Sequence, residues 1–61
     1  MNTIVIKNFI IYKNNINYIK LYDIFKGFYM FCIDVYFINK EKLTIITDSN
    51  DEFKCWIDLF K

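Results

Sequence analysis

The run Phe28-Tyr29-Met30-Phe31-Cys32-Ile33-Asp34-Val35-Tyr36-Phe37-Ile38 constrains the fold more than any other part of the chain. Aromatic and β-branched residues fill it, and these suit a pleated surface better than a helix. It lies between Gly27 and the polar stretch Asn39-Lys40-Glu41-Lys42. It therefore reads as the central strand of a small antiparallel sheet. Asp34 is its one charge and sets the alternation. With Asp34 facing out, Met30, Cys32, Tyr36 and Ile38 face out as well. Tyr29, Phe31, Ile33, Val35 and Phe37 then face in. The outer face is nearly as apolar as the inner one, and such a face points to a partner.

Sixty-one residues make a single domain, 1–61. A chain of this length buries roughly 60% of its unfolded surface, so an added source of stability is expected. Two cysteines, Cys32 and Cys55, allow at most one bridge. Free thiols are the expectation, since nothing marks the chain as secreted. Histidine is absent, and two cysteines alone make no zinc site. A partner, or a second copy in a homodimer, remains as the stabilising addition.

Net charge is +1, and all eight positive residues are lysine. A nucleic-acid binder is usually far more basic, and arginine is the residue that grips phosphate and guanine bidentately. Ile, Lys and Asn supply 27 of the 61 residues. Their codons are AT-rich, which points to an AT-rich bacterium or its phage. The segment Met1 to Tyr12 is apolar but holds Lys7 and lacks a small-residue cleavage site, so it makes a poor signal peptide. Uncharged apolar runs fall short of the roughly 20 residues that span a bilayer. A cytoplasmic protein with no membrane partner is expected.

Thr3 to Lys7 reads as a strand, with Asn8 as a bulge or bend before Phe9 to Tyr12 continues it. Lys13-Asn14-Asn15 is a turn. Ile16 to Phe25 is a second strand, and Lys20, Asp23 and Lys26 give it the charges of an edge. Lys26-Gly27 turns into the central strand, with Gly27 supplying positive φ. Leu43 to Thr47 is a short further strand. Ser49 and Glu52 then stand as N-cap and N3 of a helix, the spacing of a capping box. Asp51 and Glu52 also suit the positive end of the helix dipole. Phe53, Trp56, Ile57 and Phe60 share one helical face. The predicted architecture is α+β: a four-stranded antiparallel meander with a C-terminal helix on one face, in the order β-β-β-β-α.

Little in the chain can carry catalysis. Ser49 is the only serine, and without histidine it has no base. Asp48, Asp51 and Glu52 lack the glycine and terminal glutamate of an EF-hand loop. Asp23 and Asp34 read as solvated side chains rather than an acid–base pair. Cys55 reads as structural, and Cys32 as an interface or packing residue. One glycine rules out a phosphate cradle. No enzyme, cofactor or metal is expected. The candidate interface is Met30, Cys32, Tyr36 and Ile38, joined by Tyr18 and Tyr22 where the second strand pairs alongside. Protein binding fits an apolar patch of this kind. The alternative is single-stranded nucleic-acid binding, with Tyr18, Tyr22, Tyr36 and Lys20 as a stacking platform. The charge balance disfavours it.

The order of elements from Ile16 through Tyr29, Ile33, Val35 and Phe37 to Leu43–Glu52 resembles small β-meander-plus-helix proteins of bacteria and their phages. Lone proteins of this size in AT-rich phages include inhibitors of host defence, the anti-CRISPR type among them. The resemblance implies binding to and occlusion of a host protein, and it carries no residue-level motif.

Overall fold

The computed structural model describes residues 2–61; Met1, which opens the N-terminal apolar run, lies outside them. Five strands and one helix follow in order: β1 (Thr3–Ile6), β2 (Phe9–Tyr12), β3 (Ile16–Phe25), β4 (Tyr29–Phe37), β5 (Lys42–Thr47) and α1 (Asn50–Leu59). The class is α+β, with antiparallel sheets and a C-terminal helix. The single four-stranded sheet is corrected to two sheets, a β1–β2 hairpin and a β3–β4–β5 meander.

The difference begins at Lys7-Asn8. These two residues are a tight turn rather than a bulge, pairing Ile6 with Phe9 and folding residues 3–12 back on themselves. Lys7 takes φ 53°. Left-handed backbone costs a non-glycine residue roughly 1–2 kcal/mol. Its side chain offsets that cost: Nζ donates to the Ile46 carbonyl at 2.8 Å and stands 5.5 Å from the centre of the Trp56 ring. A 3₁₀ turn over Lys13–Asn15 leads into β3. At the far end of β3, Gly27 has φ +80°, and a Cβ there would meet no atom within 4 Å. Backbone angle alone therefore favours glycine at this turn.

The inner face of the meander follows the predicted alternation. Ile33, Val35 and Ile45 pack with Ile4, Ile6 and Ile11 of the hairpin and with Trp56 of the helix. Hairpin and helix thus form one layer, and the three-stranded sheet forms the other. The helix starts where its cap predicts: Glu52 N–H donates to Ser49 Oγ at 3.2 Å. The reciprocal half of the capping box is replaced by a relay. Ser49 N–H donates to Thr47 Oγ1 at 3.1 Å, and Thr47 donates to Glu52 Oε1 at 2.6 Å. The buried end of β5 and the first turn of α1 are thereby tied together.

Candidate functional site

The meander presents its other face to solvent. Cross-strand pairing sets Tyr18 beside Tyr36, Lys20 beside Asp34, Tyr22 beside Cys32 and Ile24 beside Met30. On the other flank, Lys42 pairs with Tyr36, Thr44 with Asp34 and Ile46 with Cys32. This face therefore brings together five of the six predicted interface residues: Tyr18, Tyr22, Met30, Cys32 and Tyr36. Ile38 is the exception. It lies past the end of β4, where strand alternation no longer applies, and its N–H donates to the Asn15 carbonyl. It is well exposed, but in a turn.

Facing outward does not make every one of these residues accessible. Cys32 is 0% exposed and Asp34 only 5%. The reason is steric. Short side chains on a central strand lie beneath longer ones on both neighbours, here Tyr22 and Ile46 over Cys32, and Tyr22, Lys20 and Thr44 around Asp34. Cys32 is corrected from a contact residue to a packed one. Asp34 is corrected from a solvated carboxylate to a buried acceptor. It takes hydrogen bonds from Thr44 Oγ1 at 2.6 Å and from Tyr22 Oη at 3.2 Å. Asp23 is exposed and sits one pleat out of phase with Asp34, on the opposite face, so the two cannot act together. Cys55, read as structural, is exposed on α1.

What remains accessible is tyrosine, lysine and aliphatic surface. The Tyr18 and Tyr36 rings stack with centroids 4.5 Å apart at 14°. Lys42 Nζ lies 5.9 Å from the Tyr36 centroid. Because Tyr18 comes from β3 and Lys42 from β5, they flank Tyr36 from opposite sides. The charged side chains exposed on this face, Lys20 and Lys42, are both positive. Ile24, Met30 and Ile46 make up its apolar part. Among the described residues no group of three potential metal ligands converges, and no helix is long and apolar enough to cross a membrane. Sequence alternation found the face; it could not find the Tyr22–Asp34–Thr44 network, which depends on cross-strand register.

Burial pushes the Cys32 thiol above its ordinary value; the Tyr22 hydroxyl beside it works against the shift, and the Asp34 and Asp23 charges add to it. Desolvation, then the hydrogen bond to Asp34, pushes the Tyr22 phenol up as well. Both groups hold their protons more tightly folded than unfolded. Their contribution to stability is whole below the unfolded values, 9.0 for the thiol and 10.0 for the phenol, and is lost as pH rises past them. Urea midpoints should therefore be level through neutral pH and fall above about pH 9. A Cys32→Ala/Tyr22→Phe variant should show a shallower alkaline fall. An equal fall in both proteins would place its origin elsewhere.

No protein-family model matches the chain, and neither a curated protein nor a solved structure matches it.

Proposed function

We propose that this chain is a small non-enzymatic binding module whose outer sheet face docks on an acidic, partly apolar surface of a larger protein and occludes it. An inhibitor directed at a host defence protein is the form of this reading that the resemblance implies. One observation carries it: a three-stranded sheet face that, among the described residues, no other element covers, with tyrosine and aliphatic contact surface and exposed charge of one sign. Tyrosine is enriched in protein interfaces and supplies many of their hot spots. The lysines would steer the approach and favour an electronegative target.

The arrangement of the rings favours protein over nucleic acid. A base-stacking platform needs a free aromatic face. Tyr36 has Tyr18 against one side and Lys42 toward the other. Of this stacked pair Tyr18 alone is without a lysine over it, and two lysines offer few phosphate contacts.

Tyr18 is 54% exposed, so Tyr18→Glu should fold while placing a negative charge against the proposed acidic target. Immobilised wild-type protein should retain a specific protein from nuclease-treated host lysate, and the variant should retain at least roughly 30-fold less. Tyr18→Phe should bind nearly as wild type. Equal capture by wild type and Tyr18→Glu would remove this face from the proposal. Tight oligonucleotide binding that weakens steeply with salt would establish the alternative reading.

A further inference from the structure

β3 spans ten residues, none of them fully buried, and among the described residues it pairs with β4 alone. The ladder fixes which of its backbone groups are spent. Where β3 turns into β4, Lys26 N–H donates to the Phe28 carbonyl at 3.0 Å. Bonded and non-bonded pairs alternate along an antiparallel ladder. Lys20, Tyr22 and Ile24 therefore give their backbone groups to Asp34, Cys32 and Met30 of β4. The bond from Phe37 N–H to the Glu41 carbonyl sets the same phase on the other flank of β4. Ile19, Leu21, Asp23 and Phe25 turn their backbone groups away from the sheet, and no other described group bonds to them. A row of open donors and acceptors on an apolar strand is a template for pairing. The opposite edge of the sheet is protected. β5 is six residues long, and Lys7 Nζ occupies its outward Ile46 carbonyl at 2.8 Å. Among the described residues no side chain does this for β3.

We infer that the open edge of β3 pairs antiparallel with the β3 edge of a second copy, about a twofold axis at Leu21. Two arguments select that occupant. The first is self-complementarity, which an isologous contact requires. A twofold axis normal to the sheet keeps the outer faces of both copies on one side, so it must pass through a residue. An axis at Lys20 or at Asp23 sets like charges directly opposite each other. An axis at Ile19 runs the pairing into the irregularity between Ile16 and Tyr18. An axis at Tyr22 leaves both charges against aliphatic side chains. An axis at Leu21 opposes Lys20 to Tyr22 and Tyr18 to Ile24 on the outer face. On the inner face it sets Leu21 against Leu21 and Asp23 against Ile19. Ile19 lines a groove with Lys13, Ile16 and Phe60, so the Asp23 carboxylate of each copy arrives beside Lys13 of the other. Among the described residues Asp23 has no ion-pair partner within the single chain. The second argument is closure. The pairing uses up the open edge of both copies. The joined sheet, three strands from each copy, then ends on two β5 edges that Lys7 already protects. A single foreign strand would put a new open edge in place of the old one.

The inference does not rest on what the outer face binds, since edge pairing leaves that face open. Sedimentation equilibrium of the full chain at about 0.1 mM should show a species of twice the 7.5 kDa monomer mass. A chain synthesised with N-methyl-leucine at position 21 keeps every side chain and loses one outward N–H. Its dimer should be weaker by roughly 30-fold or more, with an unchanged far-UV circular dichroism spectrum. Asp23→Lys and Lys13→Asp should each weaken the dimer. Mixed one to one, or combined in one chain, they should restore it, because opposite charges then meet again at both contacts. A wild type that stays monomeric at about 1 mM would overturn the inference and leave the edge to a strand of another protein. A dimer indifferent to the N-methyl group would also overturn it, as would charge variants that fail to rescue each other. An N-methylated chain that does not fold would place the Leu21 N–H on β4 and do the same.

Discussion

Trp56→Ala is expected to leave the chain unfolded at 25 °C. Trp56 is the one fully buried residue of α1, 6% exposed, and it packs against Ile33, Val35 and Ile45 below and the hairpin isoleucines beside it. Truncating a core tryptophan costs about 3–5 kcal/mol. A domain of this length has only about 3–9 kcal/mol in total, at roughly 0.05–0.15 kcal/mol per residue. The loss also removes the ring beneath Lys7, so the strained hairpin turn loses part of what offsets it. Far-UV circular dichroism and amide proton dispersion should both report an unfolded chain. A variant that still melts cooperatively would show that α1 is peripheral to the core.

The second large effect separates two neighbours. Ile11→Ala should cost about 2–5 kcal/mol, and Ile10→Ala less than about 0.5 kcal/mol. Ile11 is 2% exposed and faces the meander; Ile10 is 64% exposed and faces solvent. Chemistry and position in sequence are almost the same, so the difference reports only which side of the hairpin packs. Urea unfolding of the two variants measures it directly. Equal costs would mean that the hairpin does not lie flat on the sheet with one side in.

Much of this fold was legible in the sequence because alternation and capping are local. The strand from Ile16 to Phe25, the inward set Ile33, Val35 and Phe37, the turn at Gly27 and the helix start at Ser49 all follow from neighbours within a few residues. Lys7-Asn8 was not legible. A lysine at positive φ contradicts local preference, and what offsets it lies at Ile46 and Trp56, far along the chain. The outer face was legible as a face but not in its detail. Alternation sends Cys32 and Asp34 outward; only the register of both flanking strands reveals that their neighbours close over them. The exposure of Tyr29 was hidden for a related reason. Alternation puts Tyr29 on the inner face, and nothing local states that β5 stops short of it.

The Lys7 contact also bears on how the chain is made. The hairpin emerges from the ribosome before the residues that hold it, since the Ile46 carbonyl lies 39 positions downstream. At translation rates of about 5–20 residues per second, that separation is roughly 2–8 s. During this interval Ile4, Ile6 and Ile11 have no Ile45 or Trp56 to pack against, while Val5 and Ile10 are exposed even in the finished protein. An isolated two-stranded hairpin is marginal in water, so the nascent segment is an apolar ribbon sticky on both sides. Its yield in a cell is therefore set by how well that ribbon is shielded until β5 and α1 arrive, and is partly uncoupled from the stability of the completed fold.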